Sequence, residues 1–268
     1  MYRLIASDMD ETFLDHRHRI PAPNLSALAR LRAQGALFVP ASGRGYLSIM
    51  DNFAQVDPAL MEGGYVISYN GGTLNRFGDP EPLHERSLDH GLANELWRLG
   101  VARGICLHAY TPDCSVLVRD WPAKERTYLS TLKRVREYPE PDLSGVPVVS
   151  KMLYMSEDFA FLHRFADEVR PLLGGLASIT YSSGRYLEVV PAGVDKGAGL
   201  VGLAGLLGID VADTVGMGDS ANDREMVVAA GLGVGVANVS DELRPVCDLV
   251  LSTPAEDGAL PELVDKIF

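Results

Sequence analysis

Two stretches at opposite ends of this chain share one texture, and a stretch of another texture lies between them. Near the start, residues 2–6 form an apolar run that stops at Ser7-Asp8. Leu25, Leu28 and Leu31 then follow at helical spacing behind the helix-start signal Pro23-Asn24. Residues 36–39 form a second strand-like run that stops before Ser42. Residues 65–68 form a third, closed by the turn signal Asn70-Gly71-Gly72. From Asp195 the same alternation resumes, with helices expected over 196–207, 221–229 and 260–267 and strands over 214–217, 232–236 and 249–251. Strands alternating with helices specify a parallel sheet with crossover helices.

Between about Leu83 and Val190 the pattern changes. Helices are expected over 89–101 and 157–169, among strand-like runs at 105–110, 115–118, 148–155, 179–182 and 186–190. The last two flank Ser183-Gly184 as a hairpin, which points to an antiparallel sheet. The expected architecture is α/β: a doubly wound, Rossmann-like parallel-sheet core from residues 1–82 and 191–268, with an inserted α+β cap domain at 83–190. A chain of 268 residues exceeds the commonest single-domain size, as a core with an insertion should.

Charge narrows the function classes. The chain carries 24 Lys and Arg against 36 Asp and Glu, a formal net charge of −12, which disfavours nucleic acid and anionic lipid as partners. Any anionic substrate therefore needs a local cation. Cys106, Cys114 and Cys247 form no CxxC pattern and leave an odd count, as expected of a reducing compartment. No signal-peptide pattern opens the sequence, and the uncharged stretch at 197–209 is shorter than the ~18 residues of a membrane span. The expectation is a cytoplasmic protein with no membrane association and no obligate protein partner.

The polar residues that follow the strands carry the chemistry. The first strand leads into Asp8-Met9-Asp10-Glu11-Thr12, the second into Ser42, and a later one into Gly218-Asp219-Ser220-Ala221-Asn222-Asp223; Lys196 opens a helix. In an open α/β sheet, ligands bind beyond the carboxyl ends of the strands, so these groups can converge. Asp8, Asp10, Asp219 and Asp223 would repel one another without a cation. With oxygen ligands and no His or Cys in these segments, Mg²⁺ fits better than zinc. A carboxylate nucleophile, a divalent metal, a lysine and a hydroxyl suffice to transfer a phosphoryl group through an aspartyl phosphate.

The arrangement resembles the haloacid dehalogenase superfamily. Its DxDx[TV] motif is matched by Asp8, Asp10 and Thr12, its strand-terminal Ser or Thr by Ser42, its lysine by Lys196, and its GDxxND motif by Gly218, Asp219, Asn222 and Asp223. Within it, the Cof-type sugar-phosphate phosphatases are similar in Ser68-Tyr69-Asn70-Gly71-Gly72, Glu188-Val189-Val190-Pro191, Gly235-Val236-Ala237-Asn238 and Glu256-Asp257-Gly258.

The resemblance implies an Mg²⁺-dependent phosphomonoesterase of small phosphorylated metabolites, sugar phosphates first and phosphorylated cofactors after them. Asp8 would attack phosphorus, and Asp10 would serve as general acid and base. Ser42, Gly43, Arg44, Asn70, Lys196 and Asn222 would surround the phosphoryl group or substrate. The ion would be held by Asp8, the Asp10 backbone carbonyl, Asp219 and Asp223, and the cap would select the leaving group. Hexose phosphomutase-like phosphoryl transfer and a catalytically silent phosphometabolite-binding regulator remain as alternatives.

Several residues also have plainer readings. Arg44 could touch substrate or pair on the surface, and Asn70-Gly71 could be turn chemistry alone. His16 and His18, beside Arg17 and Arg19, are expected in a solvated turn. The glycines at 231, 233 and 235 lack the spacing of a dinucleotide loop. Glu11 stands where the family usually has Gly, which costs stability if the backbone there has positive φ.

Overall fold

A computed structural model describes residues 1–130 and 132–268. The chain divides into two compact units, one of Met1–His84 with Asp195–Phe268, the other of Glu85–Val194.

The first unit begins with β1 (Leu4–Asp8), every residue of which is buried. After an irregular turn come α1 (Ala22–Ala33), β2 (Leu37–Ala41), the short helices α2 (Tyr46–Asn52) and α3 (Pro58–Met61), then β3 (Tyr65–Ser68), β4 (Thr73–Arg76) and β5 (Pro82–Glu85). Pro23 sits in the first turn of α1, where a missing N–H breaks no intrahelical bond.

The inserted unit contains α4 (His90–Arg103), β6 (Cys106–Tyr110), β7 (Val116–Arg119), α5 (Ala123–Leu129), β8 (Val135–Glu137), β9 (Lys151–Met155), α6 (Phe159–Leu173), β10 (Ala177–Ser182) and β11 (Tyr186–Pro191). Asp89 caps α4 by accepting the Leu92 N–H at 2.9 Å, and Gly104 ends it at φ 62°. The sheet runs β10-β11-β9-β6-β7-β8, antiparallel except for β7 with β8. Its period-two pattern separates two faces. Leu107, Ala109, Met152, Tyr154, Leu187 and Val189 pack with Trp97 of α4 and Phe165 of α6. Cys106, Leu153 and Met155 belong to a second cluster that includes Leu129 of α5.

The chain then returns to the first unit through α7 (Lys196–Leu207), β12 (Thr214–Gly218), α8 (Arg224–Ala229), β13 (Leu232–Gly235), β14 (Leu249–Val250) and α9 (Leu260–Ile267). The eight-stranded sheet is ordered β14-β13-β12-β1-β2-β3-β4-β5. It is parallel from β14 through β3, and β4 pairs antiparallel with β3. The sheet is thus mixed where sequence texture indicated a parallel one. The chain reverses at Asn70 and Gly71, both left-handed (φ 54° and 93°), so β4 folds straight back on β3. Strand order runs outward from β1 in both directions, which places a switch point between β1 and β12. Leu4, Ala6, Val39, Ile67, Leu200, Leu203 and Met226 lie in one core cluster. No helix among the described residues is long and apolar enough to cross a membrane.

Candidate active site

The ends of β1 and β12 and the start of α7 deliver the charged groups. Beyond Asp8 the chain coils through Met9–Phe13, with Asp10 extended (φ −75°, ψ 128°) and Glu11 left-handed (φ 58°, ψ 15°). The Asn238 side-chain amide donates to the Glu11 carbonyl at 2.8 Å and holds that conformation. Beyond Gly218, the Asp223 carboxylate curls back so that its Oδ2 accepts the N–H groups of Asp219 (3.0 Å) and Ser220 (3.1 Å). Lys196 is the first residue of α7, capped by Asp195, whose Oδ1 accepts the Ala198 N–H at 2.7 Å.

Asp8, Asp219 and Asp223 each offer a carboxylate oxygen within 4.8 Å of the others. The Lys196 ammonium, fully buried, donates to Asp8 Oδ1 and to Asp223 Oδ1, the latter at 2.6 Å. The Thr12 hydroxyl donates to Asp219 Oδ1 at 2.8 Å. Three carboxylates thus face one ammonium, and the imbalance is electrostatically costly in a buried place. Burial pushes the Asp8 carboxyl well above the ordinary carboxylate value; Lys196 opposes this, and the charges of Asp223 and Asp219 reinforce it. Burial and Asp223 push Asp219 up to about 6, against the pull of Thr12 and Lys196. Burial disfavours the Lys196 charge, but Asp8 and Asp223 more than offset that and raise its pKa above the ordinary lysine value. A hard divalent cation would relieve the excess negative charge, and oxygen donors suit it. The side chains present therefore fit a magnesium-type ion.

Beside this cluster lie the loops after β2 and β3. Ser42 donates its N–H to the Ile67 carbonyl (2.9 Å), and its own carbonyl accepts the Asn70 N–H (2.9 Å). The Ser42 hydroxyl accepts the Arg44 N–H at 3.2 Å. A Cβ on Gly43 would stand 3.2 Å from Asn70 Oδ1, so the two loops touch closely. Arg44 Nε lies 3.2 Å from Asp10 Oδ2 as an ion pair. Arg44 Nε and Nη2 and Asn70 Oδ1 are buried without a hydrogen-bond partner among the described residues. Such orphaned polar atoms are costly unless a polar ligand meets them.

The structure thus brings together Asp8, Lys196, Asp219 and Asp223, and sets Ser42, Gly43, Arg44 and Asn70 on mutually bonded loops. The Asp10 carboxylate is turned to Arg44 and to His18, whose Nδ1 is 2.8 Å from Asp10 Oδ1. Asn222 is exposed, its side-chain oxygen accepting from the Ser220 hydroxyl at 2.7 Å. His16 and His18 lie in a solvent-exposed turn, as expected, and there they pair separately with Glu256 and Asp10. No local pattern marks these pairings, because Glu256 is remote in sequence and the His18 contact depends on a loop fold.

Residues 5–263 match the profile of the haloacid dehalogenase-like hydrolases. The chain is 30% identical over 246 residues to the HMP-PP phosphatase of Escherichia coli (strain K12), covering 91% of this chain and 87% of that protein. A haloacid dehalogenase-like hydrolase from Bacteroides thetaiotaomicron superposes with a TM-score of 0.87 at 25% identity, covering all of both chains. The protein TM0651 from Thermotoga maritima shares the fold with a TM-score of 0.85 at 21% identity, over 100% of this chain and 98% of that one.

Proposed function

The chain belongs to the haloacid dehalogenase-like hydrolases, in the Cof-like group of phosphatases, and on that premise we propose that it is a Mg²⁺-dependent phosphomonoesterase. Its substrates are small phosphorylated metabolites, sugar phosphates foremost and phosphorylated cofactors next. The observation that carries this reading is the buried Lys196 ammonium shared by Asp8 and Asp223, three residues from separate segments of the chain.

In the first step an Asp8 oxygen attacks phosphorus, and the bond from phosphorus to the ester oxygen breaks. Asp10 gives its proton to the departing alkoxide, and Asp8 carries the phosphoryl group as an acyl phosphate. In the second step Asp10 removes a proton from water. The water oxygen attacks phosphorus, and the bond to Asp8 breaks to release phosphate. Lys196 offsets phosphoryl charge and keeps the Asp8 side chain in place. Ser42 and Asn222 hydrogen-bond phosphoryl oxygens, and Gly43, Arg44 and Asn70 receive the remainder of the anion. The Asp8, Asp219 and Asp223 carboxylates, with the Asp10 backbone carbonyl, would hold the ion. When bound, Mg²⁺ screens charge between the nucleophile and the phosphoryl group.

The test is phosphate release from p-nitrophenyl phosphate with Mg²⁺, and from a panel of sugar phosphates, by the protein and by Asp8→Asn. Steady turnover abolished in the variant and by EDTA is expected. Turnover equal in Asp8→Asn would exclude the covalent route.

A further inference from the structure

We infer that His18 is a positioning residue for Asp10: its imidazole fixes one oxygen of the Asp10 carboxylate so that the other faces the leaving group. The inference rests on the proposed acid–base role of Asp10.

The loop that carries His18 is built around Asp15. Asp15 is buried, and its Oδ1 accepts the N–H groups of Arg17 (2.9 Å) and Arg19 (2.8 Å). The backbone closes the same turn, Asp15 N–H to the Arg19 carbonyl and His18 N–H to the Asp15 carbonyl, both at 2.9 Å. Within it His18 is left-handed, at φ 57°. For a histidine this costs about 1–2 kcal/mol and persists only where the surroundings impose it. Asn52 imposes it: its side-chain amide donates to the His18 carbonyl at 2.7 Å. The loop is thus held at both ends of His18 in a conformation the residue does not favour, and the result is to set Nδ1 2.8 Å from Asp10 Oδ1.

The two groups on Asp10 are not equivalent. The His18 contact has hydrogen-bond geometry. Arg44 Nε at 3.2 Å from Oδ2 is an ion pair whose N–H is not aimed at that oxygen, since Nε makes no hydrogen bond. A hydrogen bond restrains direction, whereas a charge contact tolerates rotation. Although the pair is solvent-exposed, the His18 contact is the more directional of the two and orients Oδ1, which leaves Oδ2 as the atom to exchange a proton with the leaving oxygen. Arg44 is then available to the substrate anion. Without His18 the carboxylate turns about its side-chain bonds, and a displacement of this kind costs on the order of 100-fold in rate.

Leaving-group dependence tests this, because an acid matters most when the departing oxygen is basic. The probes are phenyl phosphate, which needs the acid, and dinitrophenyl phosphate, whose phenolate leaves readily, both assayed with Mg²⁺. His18→Ala and His18→Gly are each expected to lose at least about tenfold more kcat/KM on phenyl than on dinitrophenyl phosphate. The glycine variant also relieves the backbone, so its melting temperature separates strain from chemistry. His18→Asn places an amide N–H near the lost Nδ1 and tolerates the left-handed backbone, and is expected to restore most of the discrimination. Equal losses on both esters, or an asparagine variant no better than alanine, would overturn the role of His18. Asp10→Asn serves as the reference. If it shows no greater loss on phenyl phosphate, the acid assignment of Asp10 is what fails, and the inference falls with it.

Discussion

A methyl group on Gly218 would stand 2.5 Å from Asp223 Cγ and 2.6 Å from its Oδ2. The last residue of β12 must therefore be glycine for the Asp223 carboxylate to fold back against its own backbone and reach Lys196.

Gly218→Ala should displace Asp223 while leaving every charged group in the chain. The expected result is a stability loss of about 1–3 kcal/mol from overpacking and a fall in turnover of about 100-fold from misplacement of the lysine and its partners. Urea denaturation together with steady-state assays reads both. Turnover like that of the parent protein would show that Asp223 need not occupy this position.

Metal binding should be felt most strongly above the pH at which Asp219 ionises. In the folded protein its carboxyl titrates at about 6, above the ordinary carboxylate value, because of burial and the Asp223 charge. The folded chain thus holds that proton more tightly than the unfolded one. Its contribution to stability is present at low pH and is lost as pH rises through about 6. Mg²⁺ supplies the missing countercharge, so its rise in melting temperature should be larger near pH 7.5 than near pH 5. Thermal melts with Mg²⁺ or EDTA at the two pH values measure it, and an equal shift at both would contradict the electrostatic picture.

Acid should weaken the inserted unit through His108. The ring is fully buried on β6, with Nε2 3.5 Å from Glu125 Oε1. Burial pushes its pKa down to about 3, aided by Lys151 and Arg185 and opposed by Glu188. The unfolded value is near 6.5, so the neutral ring contributes fully above that pH and the contribution disappears as pH falls towards 3. Between pH 7 and pH 5 the loss amounts to about 2 kcal/mol. His108→Gln should flatten the dependence of melting temperature on pH in this interval, as followed by circular dichroism. An unchanged slope would assign the acid sensitivity elsewhere.

Glu11 offers a gain. At φ 58° it occupies a region that costs an L-residue about 1–2 kcal/mol, of which glycine's extra freedom when unfolded would return part. Glu11→Gly should stabilise the protein by about 0.5–1 kcal/mol, whereas Glu11→Ala keeps the strain. Chemical denaturation distinguishes the two variants, and a destabilised glycine variant would mean that the glutamate side chain outweighs its backbone.

The α/β texture at both chain ends was legible because strands buried on both faces are short apolar runs, as in Leu4–Asp8, and their flanking helices carry clear start signals. Two helices with an Asp cap, α4 and α7, were legible almost to the residue, whereas Asp-capped α6 runs four residues past its expected end and the short Asp-capped α3 was not foreseen. The parts that escaped have weak local signals. The four-residue β4 reads Thr-Leu-Asn-Arg, and only its pairing with β3 makes it a strand. The seven-residue α5 is rich in charge and is stabilised by what Leu129 packs against. Asn24 illustrates a different blind spot. Read as a helix-start residue, it is wholly buried, donating to the Phe13 carbonyl at 2.8 Å and accepting the Leu260 N–H at 3.0 Å. Likewise the acidic motifs announced a cation site, while the His18 contact with Asp10 depended on a left-handed backbone that no spacing rule reveals.

The start of α7 lies close against the turn after β3: a Cβ on Gly199 would be 2.8 Å from Ile67 Cγ2 and 3.0 Å from Gly71 Cα. No side chain can grow at that seam without levering the lysine-bearing helix off its seat. The fixed seat of Lys196 beside the two loops thus depends on a position where the absence of a side chain is itself the structural element.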